Sequence, residues 1–255
     1  MKITARKKHS IGDHMSERIW DRLLSEQDRA HLAASPRKHI GLGTKPALLL
    51  IDLYRWVFGD KPEPLLEAIK TWPLSCGLAG WNALPHIQKL LAVAREIGIP
   101  VIHVVNMDGN GVEGRYPNKG REDLSPEALE RRRRKYEIVD ELKPVPGETV
   151  LQKSSPSAFW GTPLFGHLNW LRVDTILVCG ESTSGCVRAS VVDGCTNRFR
   201  MVVAEECVFD RHETAHAMNL FDMDRKYAAV LPVEDVIKYL RGWQAEIGGQ
   251  GKPVG

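Results

Sequence analysis

Residues 175–190 read TILVCGESTSGCVRAS, and the fold class follows from how that stretch is assembled. Thr175–Gly180 is a short, nearly continuous apolar run without the polar alternation of a half-exposed strand. Such a run suits a parallel strand covered on both faces. A Gly/Ser/Thr-rich turn follows it, and Ser184–Arg198 carries a helical pattern. Outward from this unit the same alternation recurs. Ala47–Asp52, Pro100–Val105, Thr149–Gln152, Arg200–Glu205 and Tyr227–Leu231 are further buried-strand runs. Helical patterns at Trp81–Ile97, Arg211–Lys226 and Val233–Ile247 fall between or after them. Alternating strands and helices predict a three-layer α/β fold, a Rossmann-like parallel sheet flanked by helices.

At 255 residues the chain suits one such domain, assigned to 41–255, preceded by an arm and accessory helix over 1–40. Residues 1–15 read as a flexible arm. Over 16–34, Ser16 is a candidate N-cap, and Ile19, Trp20, Leu23 and Leu24 stand at helical spacing. This predicts a helix outside the main domain, packed on a neighbouring subunit. Residues 106–147 are charged and poor in apolar side chains, predicting loop plus one exposed helix in which Arg131–Lys135 is a solvated face. The net charge of +3 is too small to suggest nucleic acid or a membrane surface as partner. No window approaches the roughly 18 uninterrupted apolar residues of a membrane span. The N-terminus has basic residues but no apolar stretch after them, unlike a secretory signal. Five cysteines without a CxxC pair point to free thiols in a reducing compartment, the cytoplasm.

In doubly wound sheets, ligands bind beyond the carboxyl ends of the strands, where strand order reverses. Residues just past the apolar runs are therefore the candidates for chemistry. Asp52 ends the first run, Lys153 follows the third, and Cys186 opens the helix after the fourth. Asp52 reads either as a turn cap or as a carboxylate whose pKa an apolar mouth raises enough to handle protons. Lys153 reads as a solvated lysine or as a cation that stabilises neighbouring anions. Cys179 lies within a strand and reads as a small core residue. Cys186 differs, because a helix start lowers a thiol's pKa and its free N–H groups can hold an oxyanion.

Two motifs compete with this reading. Gly180–Gly185 has the spacing of a phosphate loop, but Cys186 and Val187 replace its Lys and Ser/Thr, which removes the main cation for phosphate. His212-Glu213-Thr214-Ala215-His216 matches the zinc-peptidase pattern, with Glu234 or Asp235 conceivable as a third ligand. That chemistry leaves Asp52, Lys153 and Cys186 without a role, so the segment reads as the polar start of a helix. His103, inside PVIHVV, reads as a core histidine.

The ordered segments PALLLIDLYRWVF, GIPVIHVVN, TVLQKSSPSAFWGTPL, DTILVCGESTSGCVRASVVDG and DRHETAHAMNLFDMDRKYAAV resemble the isochorismatase-like hydrolases over roughly residues 40–240. Among them the chain is most similar to the N-carbamoylsarcosine amidase and maleamate amidohydrolase branch. The resemblance implies a six-stranded parallel sheet and a catalytic set of Asp52, Lys153 and Cys186. It implies a cis peptide between Ser182 and Thr183, and an oxyanion hole from the N–H groups of Thr183 and Cys186. It places Arg211 where a substrate carboxylate is bound, with Phe159 and Trp160 beside the site, and it implies a homo-oligomer, a dimer or tetramer. Leu53–Lys61 and Asn106–Gly114 lack the histidines of metal-binding relatives, so neither a metal nor another cofactor is expected. Residues 59–81 match no pattern that can be interpreted.

These features together predict a cysteine amidohydrolase that releases ammonia from a small carbamoyl, ureido or amide substrate through a thioester. An N-carbamoyl amino acid or maleamate fits Arg211. A neutral ureide such as biuret or triuret is the alternative, since arginine also donates to carbonyls. A zinc peptidase and a catalytically idle binding subunit are the remoter ones.

Overall fold

The computed structural model describes residues 18–36, 41–107 and 125–248. Its sheet strands are β1 (Pro46–Ile51), β2 (Val101–Asn106), β3 (Thr149–Lys153), β4 (Thr175–Glu181), β5 (Arg200–Phe209) and β6 (Ala228–Leu231). They form one sheet in the order β3-β2-β1-β4-β5-β6, with every neighbouring pair parallel. The order reverses between β1 and β4, so the crevice for a ligand lies beyond the carboxyl ends of these two strands.

Successive residues of β1 go to opposite faces. Leu48 and Leu50 join α4 (Leu78–Ile97) and α9 (Val233–Gly248) on one side, through Ile87, Leu90, Leu91, Val236 and Leu240. Ala47, Leu49 and Ile51 join α6 (Leu164–Trp170), α7 (Arg188–Thr196) and α8 (Glu213–Lys226) on the other, through Leu164, Leu168, Val191, Leu220 and Met223. A strand buried on both faces has no position for a polar residue, which is why these runs lack alternation. Each fully buried Leu or Ile contributes about 1.5–3 kcal/mol. The remaining helices are α1 (Glu26–Ala34), α2 (Arg55–Phe58), α3 (Leu65–Thr71) and α5 (Pro126–Arg134).

The N-terminal region departs from its sequence reading. The helix starts at Glu26, not near residue 16, because Ser25 caps it reciprocally with Asp28. Ahead of it, Asp21–Leu23 is a single 3₁₀ turn. Trp20 and Leu24 are buried in the core cluster, Trp20 against Phe221 of α8, and Arg18 pairs with Glu205. An indole that size gains more from the domain's own core than from an accessory position. Ser16 and the arm 1–15 lie outside the described residues. Of 106–147, the part described from 125 onward contains one α-helix, α5, whose only buried residue is Ala128, and a single 3₁₀ turn at Asp140–Leu142.

Candidate active site

Gly180 decides how closely the two central strands approach. It has φ +128°, and a Cβ there would lie 2.0 Å from the Ile51 carbonyl oxygen, so only glycine fits. Immediately across, Asp52 leaves β1 in a left-handed conformation, φ 56°. That conformation is strained for a residue with a side chain, and such strain collects at functional sites.

Lys153, at the end of β3, reaches across the mouth of β2 to meet Asp52. Its Nζ lies 2.8 Å from Asp52 Oδ2, and it donates to Asn106 Oδ1 at 3.0 Å and to Cys186 Sγ at 3.3 Å. Three acceptors therefore surround the three donors of the ammonium. Asn106 ends β2 and donates in turn to Tyr54 Oη at 2.8 Å. Asp52 and Lys153 are both buried, the side chains with 0% exposure.

The electrostatics give each group a distinct role. Burial raises the Asp52 carboxyl above its usual value, with Lys153 opposing. Burial lowers Lys153, but the Asp52 and Cys186 charges more than reverse this and leave it raised. Cys186 corrects an expectation. Burial and the adjacent Asp52 charge push its thiol up, against the helix-start effect anticipated from sequence. The helix proper begins only at Arg188, and Cys186 lies in a wide turn over Thr183–Val187 in which Gly185 is non-helical. The resting state is thus a thiol beside a carboxylate. Apart from the Lys153 contact, neither Asp52 oxygen has a well-directed hydrogen bond, which leaves a lone pair for the thiol proton.

The turn itself is held from outside. Ser184 donates to Asp210 Oδ2 through its N–H at 2.8 Å and its hydroxyl at 2.7 Å. Thr183 Oγ1 and His216 Nδ1 share a hydrogen bond of 2.8 Å. The N–H groups of Gly185 and Val187 go to the Ser182 carbonyl. Those of Thr183 and Cys186 make no hydrogen bond outside the turn among the described residues. The cis peptide lies one residue earlier than anticipated, between Glu181 and Ser182. The strand keeps its ladder up to Glu181, paired with Phe209, so the reversal into the turn begins at the next bond.

Of the residues anticipated around the substrate, Arg211 borders the site but is occupied. Its Nη1 donates to Glu181 Oε1 at 2.6 Å and its Nη2 to the Leu74 carbonyl. Phe159 is turned away: it is buried against Phe199, ring centroids 6.0 Å apart, and beside Gly194 near the far end of α7. Burial against these core groups is worth more to the ring than a place at a solvated mouth. Trp160 is 72% exposed. His212 precedes α8 as its N-cap and His216 is committed to Thr183, so the HETAH segment braces the Thr183–Val187 turn. Asn106 and Glu181 were not singled out from sequence, although both stand at strand exits, where the rule that found Asp52 applies.

A family model described as the isochorismatase domain matches residues 46–235. The maleamate amidohydrolase of Pseudomonas putida is 35% identical over 210 residues, covering 80% of this chain and 91% of that protein. The N-carbamoylsarcosine amidase of Arthrobacter sp. is 31% identical over 214 residues, covering 80% of this chain and 74% of that protein. Among solved structures, a cysteine hydrolase from Pseudomonas syringae superposes with a TM-score of 0.65 at 19% identity, over 78% of this chain and 94% of that one.

Proposed function

The chain belongs to the isochorismatase family, and on that premise we propose that it is a cysteine amidohydrolase of small carbamoyl, ureido or amide compounds. The observation that carries the reading is the Lys153 ammonium, 2.8 Å from Asp52 and 3.3 Å from the Cys186 thiol at the switch point of the sheet. The two amidases to which the chain is similar act on maleamate and N-carbamoylsarcosine by name, which supports hydrolysis of a non-peptide C–N bond.

In the mechanism we infer, Asp52 accepts the proton of Cys186 while Lys153 offsets the new negative charge. The thiolate attacks the carbonyl carbon, and the Thr183 and Cys186 N–H groups hold the oxyanion. Protonated Asp52 passes its proton to the nitrogen of the leaving ammonia, and the C–N bond breaks to give a thioester. Water, deprotonated by the same carboxylate, then cleaves the thioester and restores the thiol. The balance is one water consumed and one ammonia released. No step uses a metal.

The same reading carries a cytoplasmic location, in keeping with five free thiols. It also carries a homo-oligomer, for which exposed Trp160, Phe165 and Trp170 offer apolar contact surface. No helix among the described residues is long and apolar enough to cross a membrane.

Ammonia release from a panel of amides and ureides tests the activity. Cys186→Ala should abolish it, iodoacetamide should inactivate the wild type, and chelator should leave it active. Turnover by Cys186→Ala would end the thioester mechanism.

A further inference from the structure

Glu181 is the last residue of β4, on the strand end beside Asp52, and it is 6% exposed. Two groups reach its Oε1: Arg211 Nη1 at 2.6 Å and the Cys76 thiol at 3.7 Å. Among the described residues, Oε2 accepts nothing. The Arg211 guanidinium is equally incomplete, since its buried Nε–H has no partner. The pair therefore has one unused carboxylate oxygen and one enclosed, unpaired N–H, and it is held together by an ion pair and anchored by the Leu74 carbonyl. Leu74 and Cys76 belong to residues 59–81, the segment the sequence left uninterpreted.

Charge decides what can dock on such a pair. Around the thiol, Asp52, Glu181 and Asp210 supply three carboxylates against the two cations Lys153 and Arg211. Lys153 is matched by Asp52 and Arg211 by Glu181. An incoming carboxylate would have to share a guanidinium already neutralised by a buried carboxylate, in a site about to gain a thiolate. A neutral amide or ureide faces no such repulsion. Its N–H can be accepted by Glu181 Oε2 without adding charge beside the thiol.

We propose that Glu181 and Arg211 act as one recognition unit that selects substrates ending in a neutral amide or ureide group and rejects those ending in a carboxylate. The proposal rests on the amidohydrolase reading and specifies the substrate class for that site. It makes Glu181 the specificity-determining residue, with Arg211 held by Glu181 and not free to clamp a carboxylate. Burial, with Asp52 and Asp210 adding to it and Arg211 opposing, brings the Glu181 carboxyl up to about 7. The ion pair is thus complete on the alkaline side, and protonation on the acid side releases Arg211.

Two matched pairs of probes test this: maleamide against maleamate, and N-carbamoylglycinamide against N-carbamoylglycine. For the wild type at pH 8, kcat/KM should be at least tenfold higher for the neutral member of each pair. In Glu181→Gln the freed guanidinium should reverse the order, raising kcat/KM for the acids tenfold or more. A second measurement needs no variant. Between pH 8 and pH 6 the acid-to-neutral ratio of kcat/KM should rise by up to about tenfold, following the protonated fraction of a group titrating near 7. Of the groups around Glu181, Arg211 and Cys76 stay protonated over that range. Asp52 and Asp210 act on both members of a pair alike. Wild-type preference for the acids, or a ratio unmoved by both pH and Glu181→Gln, would overturn the proposal while leaving the amidohydrolase reading intact. Turnover of none of the four probes by the wild type would overturn that reading, and this inference with it.

Discussion

Lys153 is a buried cation whose every donor is used, so its removal leaves its partners exposed to each other's charge. In Lys153→Met, Asp52 becomes an uncompensated buried carboxylate, a change that costs about 3–5 kcal/mol when one member of a buried pair is lost. Activity should fall about a hundredfold or more, because the thiolate loses the cation at 3.3 Å. Adding Asp52→Asn should restore most of the stability and none of the turnover. Thermal unfolding beside ammonia release separates the two outcomes; a double variant no more stable than Lys153→Met would mean the pair is not the source of the loss. Burial holds Cys186 protonated at rest, so in the proposed mechanism its activation falls to Asp52 more than to the turn it occupies.

At the scale of elements, the nucleophile turn is a short wide coil between β4 and α7 that does not satisfy its own polar groups. Asp210, just past β5, and His216, in the first turns of α8, complete it. His216 is a positioning residue: burial keeps its imidazole below the usual histidine value, hence neutral and able to bond the Thr183 hydroxyl. His216→Ala should leave that buried hydroxyl unpaired, at a cost of about 1–3 kcal/mol. It should also lower kcat more than it raises KM, because Thr183 N–H is proposed to hold an oxyanion present only after attack. His216→Gln, which can still bond the hydroxyl, should recover part of kcat. Steady-state kinetics read this directly, and an unchanged kcat in a folded His216→Ala would confine the residue to stability.

A second, part-buried charge cluster lies on the β2–β3 side of the sheet and ties α4 to those strands. Glu148 accepts from Arg95 Nε at 2.7 Å and bonds His103 Nε2 at 2.9 Å. Burial opposes ionisation of Glu148, but these bonds prevail and hold its carboxyl at about 2 instead of 4.5. A depressed carboxyl stabilises the fold fully above its unfolded value and loses that contribution as pH falls toward 2. Wild type should therefore exceed Glu148→Gln in stability by about 1–3 kcal/mol at pH 7. The gap should narrow below about pH 4.5. Urea unfolding at pH 7, 5 and 3.5 checks it, and a gap independent of pH would remove ionisation from the explanation. The raised carboxyls of Asp52 and Glu181 act in the opposite sense, so the difference between the two proteins is more informative than either curve alone.

How much of this was legible follows from the range of the forces involved. Burial on both faces of a strand imprints a local pattern, so ALLLID and TILVCG announce a parallel α/β sheet without knowledge of their neighbours. Asp52, Lys153 and Cys186 were legible for the same reason, since each stands where its own run ends. Capping is local too: Ser25 has Asp28 three residues on, the signature of the reciprocal cap that starts the helix, and the sequence reading passed over it. The strand order and the pairings across it were not legible. Glu181 meets Arg211 across 30 residues and Thr183 meets His216 across 33. Nothing near any of these residues in the chain specifies its partner, because buried charges and hydroxyls pair with whatever the packed sheet brings within about 3 Å. The sequence by itself determined the sheet and the groups proposed to react. The tertiary structure decided that the arginine beside them is already neutralised, because packing alone sets which buried charges meet.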